Sequence, residues 1–390
     1  MPSKATVRQR APLRVFEAFS GIGAQRAALR DLNVPFEIVG TCDWFTNAIV
    51  AYDAIHSAKE SEVSLPPFEE QVRELSRFTF SADSQKPIKS LSRLSSEAIS
   101  RLYKARKRTR NFGSISDLEA ESFPDADLLV YSFPCQDLST GGNSAGMKKN
   151  SGSRSSQVWK LSRILGDLGI HNRLPEFLLM ENVPNILAPR YRMSFASWKA
   201  RLTKLGYSND EPVVLNALDF GIPQERSRLF FVSHRGSPLG IADKLRKRPW
   251  TSKSDMSQFL RLDYSNPVFK AEADEARLNM TPSRQEMWTI NGRDNPLNAA
   301  DPVHTITCNM DRTQTAALFR YAGAMRRLTI REAFLLMGFR EEDYLKTKPL
   351  GYSYRQMNKL IGNSIVVPVL REVFRSMLES AGWIVGGEKR

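Results

Sequence analysis

The chain is poor in metal-binding and cross-linking side chains, with three cysteines and four histidines in 390 residues. Cys42, Cys135 and Cys308 lie far apart and no two form a CxxC pair. That spacing excludes a disulfide framework and argues against structural zinc, so no metal is expected. It also leaves Cys135 available as a reactive thiol. Long apolar runs are missing too. None approaches the roughly 18–20 residues that a membrane helix needs, and no membrane partner is expected. The basic N-terminal stretch MPSKATVRQRAP is not followed by an apolar segment of signal-peptide type, which points to an intracellular protein. Acidic residues are scarce relative to basic ones: 42 Asp and Glu stand against 56 Lys and Arg, a net charge of +14. A surplus of this size points to a polyanion, nucleic acid first, with plain solubility as the alternative.

What is present is ordinary globular composition, 41% hydrophobic and 25% charged, in a chain long enough for one large domain or two. Residues 1–12 read as a disordered basic arm. From there strand-like runs alternate with helical ones. RVFEAF breaks at SGIG and continues as the helix former AQRAALRDL; FEIVGT then leads into NAIVAYDAIH. DLLVYSF, FLLMEN, EPVVLNA and RLFFVSH follow, with QVWKLSRILGDL and SFASWKARLTKL as helical stretches among them. This βαβ order predicts an α/β fold with a mostly parallel sheet up to about residue 235. Residues 57–112 interrupt it. They are rich in Ser, Lys and Arg, keep helical spacing at Leu91, Leu94, Ala98 and Leu102, and close on RLYKARKRTR, where six of ten residues are basic. Two readings stand, a solvated helical insertion and an extra phosphate-contacting surface. Residues 236–302 lose any clear period and read as a smaller domain or long insertion. Order resumes at VHTIT and ends in two helical stretches, LTIREAFLLMGF and VVPVLREVFRSMLESAG.

FSGIG follows a strand and opens a helix, where glycines let a ligand approach the backbone. The third glycine of the dinucleotide pattern is replaced by Arg26, which counts against NAD and FAD. Asp43 ends the second strand, where an acid can take ribose hydroxyls, and Trp44 beside it can stack on adenine. Either could equally be a capping aspartate or a core tryptophan; beside FSGIG they favour adenosine without pyrophosphate, and S-adenosylmethionine fits. In LLVYSFPCQDLSTGG, Cys135 sits on a proline at a strand end before a polar, glycine-containing loop. A thiolate there is a nucleophile; the alternative is a buried structural cysteine. Glu181 in ENV lies at the end of the apolar strand FLLM, on the ligand side of a parallel sheet, unless it only caps a helix or faces solvent. Arg226 and Arg228 in QERSR share one face of an extended segment, able to hold a phosphate or carboxylate, or merely solvated.

In this order the motifs resemble the DNA cytosine-5 methyltransferase family. FEAFSGIGAQRAAL resembles its cofactor motif, YSFPCQDLS its Pro-Cys-Gln motif, LLMENV its Glu-Asn-Val motif and QERSRLFFV its Gln-x-Arg-x-Arg motif. RLTIREAFLLMGF resembles its late helix, and IGNSIVVPV its closing Gly-Asn-Ser motif. The likeness runs from about residue 13 to 380, with 57–112 and 236–302 outside it.

The resemblance implies a Rossmann-like, S-adenosylmethionine-dependent methyltransferase fold. A catalytic domain would span 13–235, a target-recognition domain 236–318, and a C-terminal return 319–386. It implies that Cys135 attacks carbon 6 of a cytosine flipped out of double-stranded DNA. Glu181 would contact N3 and the exocyclic amine, Arg228 would grip O2, and Arg226 would support the site. Phe19, Gly21, Gly23, Asp43, Trp44, Ile115, Pro134, Asn363 and Ser364 would bind the cofactor. Gln136, Ser139, Gly142, Arg154 and Thr305 would meet DNA, the first three on a closing loop. Two departures stand out: Ser114 occupies the position of an aspartate that touches the adenine amine, and Gln157 replaces an apolar residue. CDWFTNAIVAYDAIHS, YSFPCQDLS and LLMENV look like mycoplasma-type CpG enzymes, which suggests a CG target. A cytoplasmic monomer, encoded by a bacterium or phage, is expected, with room for a cognate restriction endonuclease. The alternatives are a tRNA cytosine-5 methyltransferase and a non-catalytic DNA-binding partner.

Overall fold

The computed structural model describes residues 11–57, 62–134, 154–247, 255–278, 281–282, 301–308, 310 and 317–384. Cys135, Gln136, Ser139 and Gly142, and all but the end of the expected N-terminal arm, lie outside the described residues.

The first strand, β1 (Leu13–Ala18), leads through a glycine loop into α1 (Ala24–Leu32), then β2 (Phe36–Cys42) and α2 (Thr46–His56). Helices α3 (Phe68–Leu75) and α4 (Ser96–Thr109) precede β3 (Leu128–Tyr131). The chain continues as α5 (Val158–Ile170), β4 (Phe177–Asn182), α6 (Arg192–Lys204), β5 (Ser208–Asn209), β6 (Val213–Asn216), β7 (Gln224–Glu225) and β8 (Ser227–His234). Seven strands form one sheet in the order β2-β1-β3-β4-β8-β5, with β6 also on β8. Strands β2, β1, β3 and β4 pair in parallel; β8 alone runs against its neighbours. β3 and β4 open on unbroken apolar runs, LLVY and FLLM, because both faces are covered. One face packs under α1, α2 and the helix Val367–Ser380, the other under α5 and α6. The chain leaves β1 toward β2 on one side and returns to β3 on the other. The cleft at the carboxyl ends of β1 and β3 is therefore the topological switch point, where open α/β sheets bind ligands.

The interrupting segment is not a solvated insertion. Leu75, Phe80, Leu91, Ile99 and Leu102 bury against Ile49 and Val50 of α2 in a cluster of their own. Ser95 caps α4, its side chain accepting the amide of Ala98 at 3.2 Å. The helix therefore starts later than the Leu91–Leu102 spacing suggests, with Ile99 inside and Ala98 exposed. The basic run is engaged internally. Arg101 pairs with Glu97, Lys107 with Glu74, Arg108 with Asp53 and Arg110 with Glu37, while Arg106 lies 4.0 Å over the Phe78 ring. Five of its six cations thus have partners within the chain, which weighs against a phosphate-binding surface here.

Past residue 236, Ile241, Leu245, Met256, Leu260 and Ala276 join the same apolar core as β1. Glu272 pairs with Arg331 at 2.8 Å. The fully buried Arg326 and Glu332 pair at 2.8 Å, and Glu332 also accepts the amides of Thr329 and Arg261. Among the described residues no helix is long and apolar enough to cross a membrane, and no His/Cys/Asp/Glu group is placed to hold a metal. Removing one partner of a buried ion pair strands the other charge. Glu332→Ala should therefore lower stability by about 3–5 kcal/mol in chemical denaturation.

Candidate active site

The glycine loop is shaped by its backbone. Phe19, Gly21 and Gly23 all adopt positive φ, at 59°, 54° and 78°. For Phe19 that conformation is costly, and it persists because the surroundings over-determine it. The Phe19 and Ser20 amides both donate to the Cys42 carbonyl, at 2.6 and 3.2 Å. Asp43 completes the turn, accepting from the amides of Gly21 at 2.9 Å and Phe45 at 2.8 Å. Burial pushes its carboxyl up, and those two donors oppose the shift. At Gly23 a Cβ would stand 2.4 Å from the His56 ring and 2.7 Å from Tyr52. Only glycine fits, and Gly23 serves the packing of the loop on α2.

Next to this loop is a cavity of about 340 Å³. Phe19, Gly21, Asp43, Trp44, Ile115 and Pro134 line it, with Asn363 and Ser364 from the end of the chain. Ser114 lines it as well, its hydroxyl accepting the Ser116 amide at 3.2 Å. The nearby Asp117 points elsewhere, to Thr79. The wall also carries Ser84 and Gln85, which sequence reasoning missed. They are carried there by backbone bonds between Ser81 and the chain at Trp44 and Thr46, at 2.7 and 3.0 Å. Gln157 is at the wall too.

The same cavity extends to three neighbouring strand ends. Leu128 and Val130 of β3, Phe177 and Leu179 of β4, and Phe230 and Val232 of β8 all bury on one face of the sheet. Side chains alternate along a strand, so the next positions of that parity are Ser132, Glu181 and Arg228. Register sets them side by side, because Tyr131 pairs with Met180 and Glu181 lies opposite Phe230. Glu181 is 5% exposed; its Oε1 lies 3.3 Å from Arg228 Nε and its Oε2 accepts the Ser132 hydroxyl. Next to it, Asn182 donates from its side-chain amide to the Phe133 carbonyl at 3.1 Å, and Ser155 donates to the Pro134 carbonyl at 2.6 Å. The two peptide carbonyls just before Cys135 are thus both fixed. Arg226 lines the cavity but points its guanidinium at backbone: Ile306, Gly362 and Ser364 carbonyls accept at 2.8, 3.1 and 2.7 Å.

The family model for C-5 cytosine-specific DNA methylases matches residues 90–379. The chain belongs to this family. Two curated relatives extend the likeness over nearly the whole chain. Orphan methyltransferase M.SssI of Spiroplasma monobiae is 33% identical over 93% of this chain and 96% of its own. Type II methyltransferase M2.ScrFI of Lactococcus lactis subsp. cremoris is 31% identical over 94% of this chain and 99% of its own. In fold, the crystal structure of S. pombe Dnmt2 methyltransferase superposes with a TM-score of 0.64 at 20% identity, covering 95% of this chain and 99% of that one.

For this cytosine-5 methyltransferase, the cavity gathers Phe19, Gly21, Asp43, Trp44, Ile115, Pro134, Glu181, Arg226, Arg228, Asn363 and Ser364. Gly23 and Thr305 are not in its wall. Thr305 donates its hydroxyl to the Glu225 carbonyl at 2.7 Å, beside the pairing of β7 with Val303–His304. Arg154 opens the short turn Arg154–Gln157. No motif signals Ser132, Ser84 or Gln85. The strand alternation that places Glu181 could have indicated Ser132.

At the end of β1, fully buried Glu17 accepts the Tyr52 hydroxyl at 2.6 Å. Burial pushes its carboxyl from 4.5 up to about 7. Burial and then Arg26 hold the neighbouring His56 ring down at about 3. A carboxyl raised on folding keeps its proton in the native state while the unfolded chain loses it. Its contribution is complete below the unfolded value near 4.5 and is lost as pH rises to about 7. His56 acts in the opposite sense between about 3 and 6.5. The Glu17 effect is therefore read as a difference: from pH 4.5 to 7, wild-type stability should fall relative to Glu17→Gln in parallel denaturation curves.

Proposed function

We propose that Cys135, Glu181 and Arg228 carry out the methylation of carbon 5 of cytosine in double-stranded DNA, with S-adenosylmethionine as the methyl donor. The observation that carries this reading is the position of Glu181. It is buried on the same face as Arg228, in the wall of a cavity that also holds the loop, acid and indole suited to an adenosine. Cavity and lining suit the donor: Trp44 offers a stacking face, Gly21 leaves the backbone open, and Asp43 offers a carboxylate. S-adenosylmethionine supplies an electrophilic methyl group when bound.

Carbon 5 of cytosine is a weak nucleophile. The Cys135 thiolate adds to carbon 6, forming a C–S bond and turning the ring into an enamine. Glu181 meets N3 and the exocyclic amine and offsets the charge that develops there. Arg228 serves O2 and keeps Glu181 in place. Carbon 5 then takes the methyl group. Loss of its proton to a base and expulsion of the Cys135 thiolate restore the aromatic ring. A base within the helix cannot reach this cavity, so the nucleotide is flipped, at a cost of a few kcal/mol. The loop after Cys135, with Gln136, Ser139 and Gly142, together with Arg154 and Thr305, contacts the DNA. Residues 236–318 read the target sequence. One catalytic site with one recognition segment serves one duplex, so a monomer suffices. The family match and the two near-full-length relatives favour DNA over tRNA.

Transfer of labelled methyl groups to unmethylated plasmid tests the assignment. Cys135→Ser should abolish transfer while a gel shift still shows DNA binding. Glu181→Gln should lower the rate by about 10²–10⁴-fold. Transfer by Cys135→Ser at the wild-type rate would remove the nucleophile. Base-resolution sequencing of the wild-type product should show 5-methylcytosine in one short context; a CG context agrees with the motif likeness, and any other context refutes it.

A further inference from the structure

We propose that Ser132 is a positioning residue for the methyl-transfer step, holding Glu181 in its working orientation through its hydroxyl. The proposal rests on the reading of Glu181 given above and adds a residue to it. Ser132 is one position past the end of β3, and Glu181 is the same distance beyond Met180, the last residue paired with β3. Parallel register and the two-residue alternation put both side chains on one face of adjacent strands. Both line the cavity. The Ser132 Oγ donates to Glu181 Oε2, while Arg228 Nε faces Oε1. The carboxylate is therefore gripped at both oxygens by neighbours on both sides, β3 and β8.

The two grips differ in chemistry. Arginine is a fixed cation and only a donor, so it always favours the ionised carboxylate. A serine hydroxyl rotates: it donates to a carboxylate and accepts from a carboxylic acid. When Glu181 shares its one proton with N3 of the base, Ser132 goes on donating to the carboxyl oxygen, which still accepts, so its hydrogen bond survives the change. A methyl group at this position could hold neither state. Ser132 is also three residues ahead of Cys135, on the same strand exit whose Phe133 and Pro134 carbonyls are fixed by Asn182 and Ser155. One short segment thus holds the acid and leads, three residues on in sequence, into the nucleophile.

The test measures single-turnover methyl transfer with Ser132→Ala, Ser132→Thr, Glu181→Gln and the Ser132→Ala/Glu181→Gln double variant. A hydrogen bond to a charged group sets the scale, so Ser132→Ala should slow transfer by roughly tenfold to a hundredfold, with the KM for S-adenosylmethionine unchanged. Ser132→Thr, which keeps the hydroxyl, should recover most of the rate. In the Glu181→Gln background the alanine should cost little more, since the group it positions is already altered. A wild-type rate for Ser132→Ala beside a slow Glu181→Gln would overturn the role of Ser132 and leave that of Glu181 standing. Equal losses in both backgrounds would also overturn it, because the hydroxyl would then act independently of Glu181. A wild-type rate for Glu181→Gln would instead overturn the reading on which the proposal rests.

Discussion

Parallel pairing of β3 with β4 is the constraint on which the site depends. Leu128 lies beside Phe177 and Tyr131 beside Met180, so the first position past β3 stands level with Glu181 of β4. Apolar residues fill the shared face up to Val130 and Leu179, and the first positions beyond carry Ser132 and Glu181. A slip of one residue in either strand would turn its polar end to the opposite face, under α5 and α6. It would also bury every second core side chain on the wrong side. The apolar contacts that stabilise the sheet therefore also fix the carboxylate. Strand β8, running the other way, brings Arg228 to the same face from its own start.

A second constraint closes the cavity from the far end of the chain. Arg226 donates to the carbonyls of Ile306, Gly362 and Ser364, which join the base of β8 to segments about 80 and 140 residues away. Gly362 makes the approach feasible, since a Cβ there would stand 2.5 Å from the backbone of Thr307 and Cys308. Asn363 and Ser364 reach the cavity wall as a result. Gln224 adds to the same junction, donating to the Leu336 carbonyl at 2.8 Å and accepting the Ile306 amide at 3.1 Å. The two arginines of the QERSR motif thus divide the work by depth: the buried one binds backbone and the outer one faces the carboxylate.

Much of this was legible in the residues themselves. Unbroken apolar runs such as FLLM are what a strand covered on both faces requires, and they located β3, β4 and β8 closely; the alternation of strand-like and helical stretches located β1 and β2. Glycines in FSGIG and an acid after β2 pointed to the loop that lines the cavity, where Gly21 and Gly23 take positive φ and Asp43 accepts the Gly21 amide. Other features depend on contacts between distant segments and carry no local pattern. The partner of Ser132 is 49 residues away and is defined only by register. Ser84 and Gln85 sit in a polar stretch and reach the cavity because Ser81 pairs with backbone at Trp44. The RLYKARKRTR run looks like a phosphate surface until Glu37, Asp53 and Glu74 are brought against it. The reversal of β8 is likewise a matter of pairing, since an apolar run reads the same in either direction.

The methyl transfer proposed for this site requires a covalent bond between Cys135 and the target cytosine. It is tested most directly with a duplex in which the cytosines of the methylated context are replaced by 5-fluorocytosine. Fluorine at carbon 5 leaves no proton to remove, so the thiolate cannot be expelled after methyl transfer. With S-adenosylmethionine present, intact-mass analysis should find protein linked to DNA one to one, and peptide mapping should place the link at Cys135. Efficient methylation of the ordinary duplex with no trapped adduct on the fluorinated one, or an adduct on any other residue, would rule out covalent attack by Cys135.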